Sequence, residues 1–113
     1  MLFRSLGEAW KRWTDLPFVF AVWAARRRAS RQRVRGVHEG LLASRAWGLA
    51  HQHELAEQAC RATGIGLAAC EEYLSGLDYA LSYRHLEGLT SFFRRLAQRG
   101  KLRDGSLTFL SVA

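Results

Sequence analysis

The chain has 113 residues, 49% hydrophobic and 24% charged, a balance that excludes an intrinsically disordered chain and gives room for one domain of ordinary size. Seventeen basic residues against ten acids leave a formal charge of +7, but six of the arginines fall between residues 26 and 35, where there is no acid. Without that stretch the chain is close to neutral, so the charge is local. Cys60 and Cys70 match no zinc or redox spacing and give no disulfide framework, which makes a reduced, cytoplasmic setting the default.

Residues 1–5 (MLFRS) are what the end of a common sequencing-library adapter encodes when its GTG is read as a start. They are set aside as an assembly scar, on which reading the native protein starts upstream and the chain is a fragment. Residues 7–14 (GEAWKRWT) place Trp10 and Trp13 at helical spacing around Lys11 and Arg12. Pro17 then ends any helix. Residues 17–25 (PFVFAVWAA) are rich in Phe, Val and Trp with no polar alternation, the pattern of a strand covered on both faces. The apolar run is half the length that spans a bilayer and does not sit where an export signal would, so no membrane partner is expected.

Residues 26–36 read as a polar loop, and everything from Val37 onward as helix. Val37, Leu41, Leu42, Ala46, Leu49 and Ala50 form one face, weakened by Gly40 and Gly48. Leu55, Ala56, Ala59 and Cys60 form a second, with Gly64 as its stop. Leu67, Cys70, Leu74 and Leu77 form a third. After an extended stretch over residues 78–82, Leu86, Leu89, Phe93 and Leu96 trace the clearest helix, closed by Gly100. Residues 107–110 make a short apolar tail. A buried strand with no sibling in the sequence has nothing to pair with, which again points to a fragment.

Few residues offer chemistry. His51 and His53, two apart on a helix, point about 200° from each other and do not share one metal ion. Cys60 and Cys70 occupy apolar helix positions, where Cys acts as a small hydrophobe. The arginine run is the strongest signal for an alternative reading, a small basic helical module that binds nucleic acid. However, the helix–turn–helix-like stretch over residues 54–74 carries Glu71 and Glu72 where a recognition helix would be basic. A solvated surface loop is the simpler account, and no nucleic-acid partner is expected. No phosphate loop, nucleophile elbow or convergent carboxylate pair is present in the sequence.

Residues 6–23, LGEAWKRWTDLPFVFAVW, resemble a stretch of the chorismate dehydratase family of the futalosine route to menaquinone. Leu6, Gly7, Glu8, Trp10, Trp13, Thr14 and all of residues 16–23 match its pattern, and Asp15 stands where the family usually has Gly. Tyr73-Leu74, Tyr79, His85-Leu86, Gly88-Leu89, Phe93 and residues 107–110 follow its C-terminal pattern in order. The resemblance covers nearly all of residues 6–113 but less than half of a full-length member. It implies an α/β fold class: residues 6–113 would be the C-terminal part of a two-lobed fold similar to type II periplasmic binding proteins. In that arrangement residues 7–14 are the last helix of the second lobe, 17–25 the hinge strand, and the later helices cover the first lobe. The implied reaction is loss of water from chorismate, with no metal or organic cofactor and the catalytic residues mainly in the absent N-terminal part. By the same mapping Thr14, Leu16, Pro17 and Phe18 line the cleft between lobes, although all four serve equally well as plain hinge packing.

Overall fold

The computed structural model describes residues 5–109, which form five α-helices joined by turns and extended segments: α1 (Leu6–Thr14), α2 (Arg31–Ala50), α3 (Gln52–Thr63), α4 (Leu67–Gly76) and α5 (Tyr83–Gln98). They divide into two compact units, one built from residues up to 24 and from 80 onward, the other from residues 25–79.

The first unit holds α1 and α5. Helix α1 begins at Ser5, whose hydroxyl accepts from the Glu8 N–H at 3.1 Å. It ends at Asp15, which adopts the left-handed conformation (φ 58°) and donates its N–H to the Lys11 carbonyl. The left-handed turn accounts for the glycine usual at this position, and Asp is among the few residues that tolerate it. Helix α5 starts with a capping box between Ser82 and His85. It closes at Gly100 (φ 67°), where Lys101 N–H reaches the Leu96 carbonyl and Gly100 N–H that of Ala97. That is the paired bonding of a Schellman stop.

Trp10 organises the packing here. It is 7% exposed, sits edge-on to Trp13, Phe18 and Phe92 with centroids 5.7, 6.1 and 5.7 Å away, and donates Nε1–H to the Pro17 carbonyl at 3.2 Å. Gly88, buried on α5, lets the chain at Pro17 close directly on the helix backbone. A Cβ there would collide with the Pro17 carbonyl oxygen.

The second unit holds α2, α3 and α4. Between α2 and α3, His51 stacks on Trp47 at 4.1 Å and its Nδ1 lies 2.7 Å from the Trp47 carbonyl. Helices α3 and α4 pack on each other, each with one buried residue, Ala56 and Cys70, and Gly64 (φ 74°) ends α3 as its position predicts. No residue of α2 is buried: Val37 and Leu49 are more than half exposed.

Three expectations need correction. First, the chain is mostly helical, as read, but among the described residues there is no strand, so the one strand expected at residues 17–25 is not formed. Residues 17–25 run extended without a ladder, Phe20 is 76% and Trp23 83% exposed, and neither face of the segment is covered throughout. The reason is non-local: a strand exists only against a second backbone, and this chain supplies none there. Second, residues 26–36 are not all loop. A turn at residues 27–29 leads into α2, capped by Ser30, whose hydroxyl accepts from Arg33 N–H. Arg31, Arg33 and Arg35 therefore lie on the first turns of a helix. Third, Leu77 is not helical but caps α4 in extended geometry. Residues 1–4 of the five set aside as a scar, and Leu110 of the apolar tail, lie outside the described residues, whereas Ser5 caps α1.

Candidate functional site

The four residues singled out as cleft-lining meet in the first unit, at the corner where α1 gives way to the extended segment. Thr14 spends its hydroxyl within this corner, donating to the Trp10 carbonyl at 2.8 Å and accepting from Leu16 N–H at 3.2 Å. Pro17 offers its carbonyl to Trp10, and Phe18 fills the aromatic cluster, 5.4 Å from Phe92. Leu16 faces a cavity. It walls an open groove of about 450 Å³ along α5, lined also by Tyr83, Leu86, Glu87, Thr90, Ser91 and Arg94.

Charges near this corner are mostly paired. Lys11 Nζ lies 2.9 Å from the Asp15 carboxylate, and its hydrogen bond holds the Asp15 carboxyl below the usual carboxylate range. Arg84 reaches Glu87 at 3.6 Å and donates to the Asp15 carbonyl at 2.8 Å. Arg95 lies over the Trp13 ring at 4.2 Å and donates Nε–H to Ser91 Oγ.

In the second unit the two histidines have separate partners, with His51 at the junction of α2 and α3 rather than on a shared helix with His53. His51 is occupied with Trp47, while His53 sits between Glu71 at 2.5 Å and Glu57 at 3.5 Å. The Glu71 hydrogen bond raises the His53 pKa above the ordinary imidazole value. Cys60 and Cys70 are both free thiols on α3 and α4, and Cys70 is buried. No described helix is long and apolar enough to cross a membrane.

The sequence reading missed Thr90, Ser91 and Arg94. Their signal was present: Tyr83, Glu87, Thr90 and Arg94 recur at i, i+4, i+7 and i+11, a polar stripe opposite the buried Leu89.

Residues 2–98 match a family described as menaquinone biosynthesis, and the chain belongs to that family. Among the relatives is the chorismate dehydratase of Thermus thermophilus, 34% identical over 92 residues that make up 81% of this chain and 33% of that protein. The chain thus spans about a third of the length of that relative. No solved structure matches it.

Proposed function

We propose that the chain is the C-terminal part of a chorismate dehydratase, a lyase that removes water from chorismate to give 3-[(1-carboxyvinyl)oxy]benzoate in the cytoplasm. The observation that carries this reading is the 34% identity to a protein of that name across 81% of the chain. It agrees with the unbroken LPFVFAVW run that resembles the family. Gain of ring aromaticity drives the loss of water, so such a protein has chiefly to bind a dicarboxylate and help a proton leave, without metal or organic cofactor. The parent is a two-lobed domain similar to periplasmic binding proteins, in which residues 17–25 pair as the hinge strand. Thr14, Leu16, Pro17 and Phe18 lie at its cleft, and the residues that act on the proton come from the other two-thirds of the domain. No nucleic acid enters this function.

The test is a chimera in which the aligned segment of the Thermus enzyme is replaced by this chain. Formation of 3-[(1-carboxyvinyl)oxy]benzoate from chorismate, identified by mass, supports the reading. A folded chimera that leaves chorismate unchanged refutes it.

A further inference from the structure

We propose that Ser30 is a phosphoacceptor site for a serine/threonine protein kinase of the class that reads arginines ahead of its acceptor, and that phosphate there firms the start of α2. Residues 26–30 read Arg-Arg-Arg-Ala-Ser, and no acid occurs between Asp15 and Glu39. An acidic substrate cleft gains from each of these cations and would be repelled by a carboxylate among them, which is how charge patterns select kinase substrates.

The fold presents this hydroxyl to solvent. Residues 26–31 are all exposed, and Arg26, Arg27, Arg28, Arg31 and Arg33 make no ion pair among the described residues. Ser30 Oγ accepts from Arg33 N–H at 3.3 Å, which leaves its O–H proton to give away. Ser106 shows the opposite state. It too has an arginine three residues ahead, Arg103, but Asp104 intervenes and takes the Ser106 O–H proton at 2.6 Å. The backbone on either side of Ser30 is also lightly held. Ser30 itself is extended (φ −67°, ψ 142°), and the turn before it is closed by Ala29 N–H on the Arg26 carbonyl at 2.9 Å. After it, the first turn of α2 carries arginine and no acid at the positive end of the helix dipole, which weakens that turn.

In the step itself, Ser30 Oγ attacks the γ-phosphorus of a nucleoside triphosphate. An O–P bond forms at the serine as the bond from that phosphorus to its bridging oxygen breaks. The nucleoside diphosphate leaves, and the hydroxyl proton passes to a carboxylate of the kinase. The product places a charge of about −1.5 to −2 at the cap of α2, beside Arg31 and Arg33. That supplies the anion which the first turn lacks.

The test incubates the 113-residue chain with magnesium ATP and the catalytic domain of a kinase that selects arginine two and three residues before its acceptor, and locates phosphate by tandem mass spectrometry. Ser30 is expected to carry it and Ser106 is not. The rate should lie within about tenfold of that on a free peptide of residues 24–36, since only one helical turn has to fray. Ser30→Ala should abolish incorporation, and Arg27→Gln together with Arg28→Gln should slow it by about tenfold or more. Hydrogen exchange at the Arg33 and Val34 amides, which bond to Ser30, should slow about threefold once the phosphate is in place. Circular dichroism confirms that each variant keeps its helices. Incorporation at Ser106 in place of Ser30, a rate on the chain slower than that tenfold limit, or a rate indifferent to the double arginine variant overturns the proposal. So does exchange at Arg33 and Val34 that phosphate leaves unchanged.

Discussion

At the scale of single residues, close approach and local charge decide most of what the structure shows. Gly88 admits the Pro17 carbonyl to the surface of α5, so any side chain there forces the two apart. Gly88→Ala should destabilise the first unit by about 1–3 kcal/mol, as overpacking does. Tryptophan fluorescence in a denaturant titration reads this directly through Trp10, and an unchanged midpoint would mean that Pro17 does not rest on the helix. His53 makes a contrasting, weaker case, since its side chain and that of Glu71 are largely open to water. Its folded pKa is raised, so the contribution of the pair is fully present below the unfolded value of about 6.5 and is lost as pH rises through the folded pKa. An NMR titration should place the His53 midpoint above the ordinary imidazole value of about 6.5, and Glu71→Gln should bring it down. A midpoint insensitive to Glu71→Gln would remove the cause assigned here.

Among elements, those with local signals were legible. Helix α5 was read from its apolar spacing, and α3 from its face and the Gly64 stop. At Asp15 the clue lay in the resemblance, whose usual Gly at that position fits the left-handed conformation found there. Helix α2 was read too short, because Arg31, Arg33 and Arg35 carry no apolar period, although Ser30 ahead of them is a capping residue that could have marked the start. The hinge strand failed for a different reason. Its sequence describes a doubly covered strand, but pairing needs a second backbone alongside, and none of the described residues forms a ladder with residues 17–25. The two situations are separable. Phe20→Ala should change the stability of this chain by less than about 1 kcal/mol, because the ring is 76% exposed. In the chimera, if the segment pairs as the hinge strand proposed above, the same substitution should cost on the order of 3–5 kcal/mol, as for a buried aromatic. Equal small losses in both would show that the segment never pairs. The arginines at residues 26–35 belong to the same scale. Replacing Arg27, Arg28 and Arg31 by Gln in the chimera should leave chorismate turnover nearly unchanged. Tight duplex binding at physiological salt that disappears in this triple variant would instead support the nucleic-acid alternative. As for the candidate site, the family resemblance named Leu16, which lines the groove on α5, while the α5 stripe was not named, because polar residues on a helix ordinarily mark only its solvated side.

For the whole molecule, the core is thin. The buried apolar residues described are Trp10 and Leu89 in one unit and Ala56 and Cys70 in the other, while Phe20, Trp23 and Val37 face water. Two small units with so little buried surface are expected to melt broadly, and an unpaired apolar segment at residues 17–25 invites association between chains. Both properties suit one part of a larger domain. That this chain supplies only part of a chorismate-binding catalyst is tested most directly by incubating it, alone and purified, with chorismate beside the Thermus relative in the same assay. Product is expected from the relative and none from this chain. A sharply melting monomer that converts chorismate by itself would contradict that expectation.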